Sequence, residues 1–314
     1  MSILSTLVQG ALVGIANIIP GVSGGTFALV LGIYEWLLAA IGAFGLATLR
    51  ATAQLFAAPG SPERRGAFVR EMKRIDLLWL ALLAVGAAVA ILASSRLIAW
   101  LLEAHRAPTL AFFVGLIIPS IAVPWRLLER RSWPEALACL AGLAGLVALT
   151  LLPAATVAGG PGWLGLFLGG ALAISAMILP GVSGSFLLMI LGQYKAVLDA
   201  INGFDLVRLG LFALGCVAGL LAFVRLLNLL LRRFHSVTIA FLIGLILGSL
   251  WVLWPFKQVA PDAKIITGSN IWPPALTAEV GWAVGALALG LVGSAGVMWL
   301  GRQRRGALEV ADGP

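Results

Sequence analysis

Long apolar runs dominate this sequence, at 3–19, 22–49 (interrupted), 77–102, 108–125, 135–153, 161–179, 182–201, 207–231, 237–254 and 280–300. A helix needs about 20 apolar residues to cross a hydrocarbon core of about 30 Å, and ten such runs fit a polytopic membrane protein. Only 11% of the residues are charged, against about 25% in soluble domains. So little charge excludes a water-soluble enzyme, a disordered chain or a disulfide-stapled secreted module. The unbroken Leu, Ala and Val runs lack the alternation a membrane barrel requires. The first run follows Met1 and Ser2 with no basic region before it, so it reads as part of the fold and not as a signal peptide.

The formal charge of +8 raises the question of nucleic acid, and the placement of the charges answers it. The pairs 3–19/22–49 and 161–179/182–201 are each expected to return to the side they entered from, leaving six full spans. Loops 50–76, 126–134 and 232–236 and the C-terminal tail then share one side and hold fourteen Lys and Arg, against three (Arg106, Lys257 and Lys264) opposite. By the positive-inside rule both termini are expected in the cytoplasm. The basic excess is a topology signal, with added affinity for anionic membrane lipids and no nucleic-acid partner. Cys139 and Cys216 lie in apolar runs and read as small hydrophobes. His105 and His235 lack partners at ligand spacing, and there is no Walker loop, so no metal and no cofactor are expected. Loop 154–160 is uncharged, and loop 255–279, flanked by Trp251, Trp254, Trp272 and Trp282, reads as an external cap or interfacial segment.

Residues 16–35, ANIIPGVSGGTFALVLGIYE, recur as 176–195, AMILPGVSGSFLLMILGQYK, with ten identities in twenty positions at a constant offset of 160. TLAFFVGLIIPSI (109–121) likewise matches TIAFLIGLILGSL (238–250) at an offset of 129. Each half thus holds one PGVSG pair followed by three spanning helices, and an odd number of crossings places the second copy upside down. The expected fold is an all-α polytopic membrane protein, an inverted-topology repeat with two re-entrant helical hairpins and about six full transmembrane helices. Its first repeat covers 1–153 (hairpin 3–49, basic cytoplasmic loop 50–76, three spans), its second 161–300, and its cytoplasmic tail 301–314.

Pro20 and Pro180 are expected to end one helical piece and start another, because proline cannot continue the helix ladder. From Gly21 to Gly32 is about 18 Å of helix, half the membrane. The turn would present free N–H groups at a helix N-terminus beside the hydroxyls of Ser23, Thr26, Ser183 and Ser185, a constellation that attracts phosphate or carboxylate. The other reading is a tight helix crossing in which small residues let backbones touch. Among ionisable residues in the runs, Arg96, Arg208 and Arg225 either pair, snorkel or line a polar pathway. Glu35 and Lys195 follow the repeated Tyr in the two copies. Asn17, which Met177 replaces in the second copy, is either a brace for the broken helix or a ligand contact.

GIANIIPGVSGGTFALVLGIYE and ISAMILPGVSGSFLLMILGQY resemble the paired signatures of the bacterial polyprenyl-phosphate transporters, across nearly the whole chain. The resemblance implies translocation of undecaprenyl phosphate across the cytoplasmic membrane, recycling the carrier to the inner leaflet for peptidoglycan and other envelope polymers. The second signature carries Lys195 where the family often has Glu. On this reading Ser23, Gly24, Gly25, Thr26, Ser183, Gly184 and Ser185 hold the phosphate with Asn17 among the substrate-binding residues, one or more of Arg96, Lys195 and Arg225 neutralise it, and Glu35 carries a coupling proton. Two other functions compete. One is a secondary transporter of a small anionic solute. The other is a polyprenyl-pyrophosphate phosphatase-like enzyme, disfavoured because Gly24 and Gly184 stand where such enzymes place an arginine.

Overall fold

The computed structural model describes residues 2–18, 23–151, 162–258, 269–273 and 275–311, with side chains to residue 296. Pro20 and Gly21, loop 154–160 and Lys264 lie outside the described residues. The first half comprises α1 (Ile3–Ile18), α2 (Gly24–Val30), α3 (Tyr34–Gly42), α4 (Leu46–Ala57), α5 (Pro62–Arg74), α6 (Leu77–Ala104), α7 (Arg106–Ser120), α8 (Ala122–Arg126) and α9 (Trp133–Leu151). The second half comprises α10 (Trp163–Ile178), α11 (Gly184–Ile190), α12 (Tyr194–Asn202), α13 (Leu206–Arg233), α14 (His235–Val252), the two-residue strands β1 (Lys257–Gln258) and β2 (Ser269–Asn270), and α15 (Ala278–Ala311).

Among the described residues, six helical stretches are long and apolar enough to cross a membrane: α6, α7 with α8, α9, α13, α14 and the part of α15 up to Gly296. They match the six expected spans. Two further pairs, α2–α3 and α11–α12, are sharply bent, by 117° and 110°. The chain is therefore an all-α polytopic membrane protein.

Two differences from the expected elements have local causes. The helix after the first break runs for 7 residues, Gly24–Val30, and not to Gly32. Gly32 adopts φ 69°, its N–H donates to the Leu29 carbonyl, and the Ile33 N–H donates to that of Ala28. These two bonds form a glycine C-terminal motif that satisfies the last carbonyls and turns the chain. Gly192 at φ 68°, with Gln193 N–H to the Leu188 carbonyl, repeats it in the second half. The basic stretch 50–76, expected as a loop, instead carries the end of α4 and all of α5. Ser61 caps α5 at the Arg64 N–H, Pro62 starts it, and Lys73 and Arg74 close it against the helix dipole.

The repeat is visible in how helices pair. α1 packs along α6 as α10 packs along α13, and α7 pairs with α15 as α14 pairs with α9. The third span of each half thus docks on the middle span of the other, and neither half closes its own core. These crossings are close because glycines face carbonyls. A Cβ on Gly10 would strike the Leu83 carbonyl and one on Gly86 that of Leu7; Gly170 and Gly215 repeat this with Phe212 and Phe167. Small residues let backbones touch where packing, not water, drives association. The main buried cluster gathers around α14, with Ile239, Leu242, Ile243 and Ile246 against Leu29, Leu38 and Val224.

Candidate functional site

The two breaks meet. Ser23 has extended backbone (φ −124°, ψ 151°) and caps α2, its Oγ accepting from the Thr26 N–H at 3.3 Å. The same hydroxyl donates to the Leu179 carbonyl at 2.9 Å, on the far side of the sequence repeat. Gly181, just past Pro180, returns a bond: its N–H lies 2.9 Å from Thr26 Oγ1 and 3.2 Å from Ser23 Oγ. Tyr34, the repeated tyrosine, donates its hydroxyl to the Ile178 carbonyl at 3.2 Å. The Ile178 and Leu179 carbonyls and the Gly181 N–H at the second break are thus satisfied by side chains of the first hairpin. Buried polar groups require such partners.

Close approach demands the glycines. A Cβ on Gly25 would collide with the Ile178 carbonyl. Gly181 sits at φ 82°, and a Cβ there would lie 2.7 Å from the Leu245 carbonyl and 2.9 Å from Ser249 Cβ on α14. Only glycine combines this φ with this contact. Ser23 and Thr26 are 2% and 1% exposed.

The two copies differ. Asn17 Oδ1 accepts from the Gly24 N–H at 2.8 Å, a bracing geometry for the first break. In the second copy Met177 stands there, and a Cβ on Gly184 would lie 2.7 Å from its Cγ. Ser183 caps α11 without a side-chain hydrogen bond to it; its Oγ lies instead 2.9 Å from that of the exposed Ser185. One break is therefore closed and self-satisfied, and the other presents a pair of hydroxyls at its surface.

The structure brings Ser23, Gly25 and Thr26 into contact with residues 178–181, next to Ser183, Gly184 and Ser185, and Asn17 braces Gly24 within the first break. It does not bring the nominated cations there. Arg96 is exposed on α6. Lys195, its side chain 85% exposed, pairs with Asp199 at 2.7 Å. Arg225 on α13 donates to the Phe44 carbonyl at 2.7 Å, and beside it Asn228 donates to the Leu38 carbonyl at 2.9 Å. Both side chains fasten α3, which Trp36 also anchors by stacking on Trp79 at 4.9 Å. Glu35 lies 3.2 Å from His235 Nε2, with Glu129 at 3.8 Å from Nδ1. No metal-binding group of three His, Cys, Asp or Glu is present among the described residues.

Several contributors escaped the sequence reading. Tyr34 and Gly32 were visible as repeat identities, but their partners were not. His235 carried no pattern, being joined to Glu35 only by the fold.

Six spans, two bent helix pairs and interlocked breaks define a duplicated polytopic membrane protein, an architecture many secondary transporters share. The chain belongs to the VCA0040-like, undecaprenyl phosphate translocase-like family, whose model matches residues 13–270. It is 39% identical over 258 residues to a polyprenyl-phosphate transporter of Vibrio cholerae, covering 82% of this chain and 80% of that protein. It is 29% identical over 267 residues to a polyprenyl-phosphate transporter of Staphylococcus aureus, covering 79% and 85%. No solved structure matches the chain.

Proposed function

We propose that this protein translocates undecaprenyl phosphate across the bacterial cytoplasmic membrane, returning the carrier to the inner leaflet for peptidoglycan and envelope polymer synthesis, and that it does so without chemistry on the lipid. Both termini lie in the cytoplasm, on the side holding most of the Lys and Arg. Family membership supports the substrate, and the hydrogen bonds joining Ser23 and Thr26 to Leu179 and Gly181 carry the mechanism.

A lipid monophosphate must take a charge of about −1 to −2 through hydrocarbon, which is prohibitive unless donors replace its water. Ser23 and Thr26 hydroxyls and the Gly181 N–H satisfy one another in the state described. A phosphate oxygen inserted between them accepts from all three, exchanging protein–protein bonds for headgroup bonds and releasing one hairpin from the other. Gly24 and Gly25 keep the backbone open to that approach, and Ser183, Gly184 and Ser185 offer the headgroup its first donors at the exposed break. Because the ligand binds the parted state and not the closed one, it shifts the equilibrium between them. Arg96, Lys195 and Arg225 serve the approach from either surface by charge, and Glu35 beside His235 carries the coupling proton.

Purified protein in vesicles provides the test. Fluorescent undecaprenyl phosphate is expected to move between leaflets with no release of inorganic phosphate. Release of phosphate from the lipid or its diphosphate, without translocation, would make the protein an enzyme and refute the proposal.

A further inference from the structure

On the flank of α14 away from the breaks, two apolar hollows lie along α9 and α14 and share Leu143. A cavity of about 430 Å³ is lined by Trp125, Ala136, Cys139, Leu143 and Ala240 among others. Leu143 also lines a second cavity of about 270 Å³, which continues along α14 to Trp251 and Trp254. From Ala240 to Trp254 the two cover about 20 Å at the helical rise, two thirds of a hydrocarbon core of about 30 Å. Leu140, which is exposed, stands on the rim, so the groove faces the membrane.

One end is charged. Arg131 borders the larger cavity and lies over the Trp125 ring, 5.2 Å from its centre. The one acid lining that cavity, Glu135, accepts from the N–H and hydroxyl of Ser132 at the start of α9, so its charge is held by the helix N-terminus. An apolar trough of this length with a cation at its mouth complements a long isoprenoid carrying a terminal phosphate. α14 lies between the trough and the breaks: its other face touches Gly181 at Leu245 and Ser249.

The repeat supplies a counterpart. Gly142 faces the Phe241 carbonyl as Gly290 faces that of Phe112, so the α9–α14 groove corresponds to the seam between α15 and α7. There Ala111 stands for Ala240 and Leu287 for Cys139. The seam is closed: Phe256 and Leu287 pack against Ala107, Ala111 and Ala283. Its mouth is basic as well. Lys257 is drawn down to about 8 by burial and by Arg106 beside it. The two seams are thus equivalent in the repeat, one with an apolar hollow beside it and the other packed by Phe256 and Leu287.

We infer that the α9–α14 groove seats the isoprenoid chain of the transported lipid, with Arg131 beside its phosphate, and that the α7–α15 seam, plugged by Phe256, is the equivalent seat for the opposite leaflet. This rests on the function proposed above. The phosphate can then enter the protein while its tail stays in a fixed trough.

The test uses the full chain in nanodiscs of phosphatidylethanolamine and phosphatidylglycerol, with undecaprenyl phosphate carrying a diazirine on its chain as the probe. Photolabelling is expected to concentrate on Cys139, Leu140 and Leu143, about tenfold above lipid-facing Val85, Val89 and Leu92 of α6, and to be displaced by unlabelled undecaprenyl phosphate but not by added phosphatidylglycerol. Ala136→Phe, which fills the mouth, is expected to abolish that labelling. Arg131→Ala is expected to weaken competition by undecaprenyl phosphate about tenfold and leave competition by neutral undecaprenol unchanged. Even labelling of α6 and α9, or displacement by phosphatidylglycerol, would mean an ordinary boundary-lipid surface and overturn the inference. Wild-type protein that translocates the lipid yet labels evenly refutes the groove alone; protein that labels evenly and fails to translocate the lipid refutes the proposed function with it.

Discussion

A single methyl group at Gly25 would meet the Ile178 carbonyl, whereas one at Gly145 meets nothing within 4 Å. Gly25→Ala is therefore expected to lower stability by about 1–3 kcal/mol, as overpacking of a close contact does, while Gly145→Ala changes it little. Thermal unfolding of the two variants in detergent checks the difference. The hydroxyls of Ser23 and Thr26 share one donor, the Gly181 N–H. Removing either leaves that N–H a partner; removing both leaves it buried and unpaired. Ser23→Ala and Thr26→Ala are each expected to cost about 1 kcal/mol, and the double variant more than their sum because of the desolvated amide, about 1–3 kcal/mol. A double-mutant cycle on unfolding midpoints measures the excess, and strict additivity would separate the two hydroxyls from Gly181.

Among the elements, the short helices α2 and α11 carry the architecture, because each ends in a glycine at φ near 70° and cannot continue as a span. Their hydrophobicity alone reads as a longer helix; the stop lies in a backbone conformation that only the duplicated glycine hints at. The helix pair α4–α5 shows the opposite failure. Its charges read as a loop, yet Thr48 donates to Glu71 at 2.6 Å and Arg74 donates to both carboxylate oxygens of Glu71. Arg74, and then Thr48, hold the Glu71 carboxyl at about 2, below the usual carboxylate range. Because its folded value is depressed, the tie is fully present above about pH 4.5 and lost as pH falls toward about 2. Protection of the α4 and α5 amides, relative to their intrinsic exchange rates, is expected to fall over that acid window, and to show no such fall in Glu71→Gln.

For the molecule as a whole, spans and symmetry were legible and the joinery was not. Hydropathy marks the six full spans, and the PGVSG duplication marks the two breaks and their parity. What the breaks do to each other depends on contacts 155 and 156 residues apart, Thr26 to Gly181 and Ser23 to Leu179, which no local pattern encodes. Likewise the sequence leaves Arg225 to pair, snorkel or line a polar pathway, and only the fold shows it donating to the Phe44 carbonyl just past α3. Asymmetry between the halves, Asn17 against Met177 and Cys139 against Leu287, is written in the sequence but gains meaning only when the copies face each other.

The measurement closest to the central claim, that the paired breaks receive the phosphate, is leaflet exchange of undecaprenyl phosphate in vesicles by Ser183→Ala/Ser185→Ala. Both hydroxyls lie at the accessible break and brace no other element through a hydrogen bond among the described residues. The double variant is expected to keep the melting temperature of the parent and to exchange the lipid about tenfold more slowly or worse, the loss of one or more charge-assisted hydrogen bonds. Exchange at the parent rate in a fully folded double variant would contradict the claim.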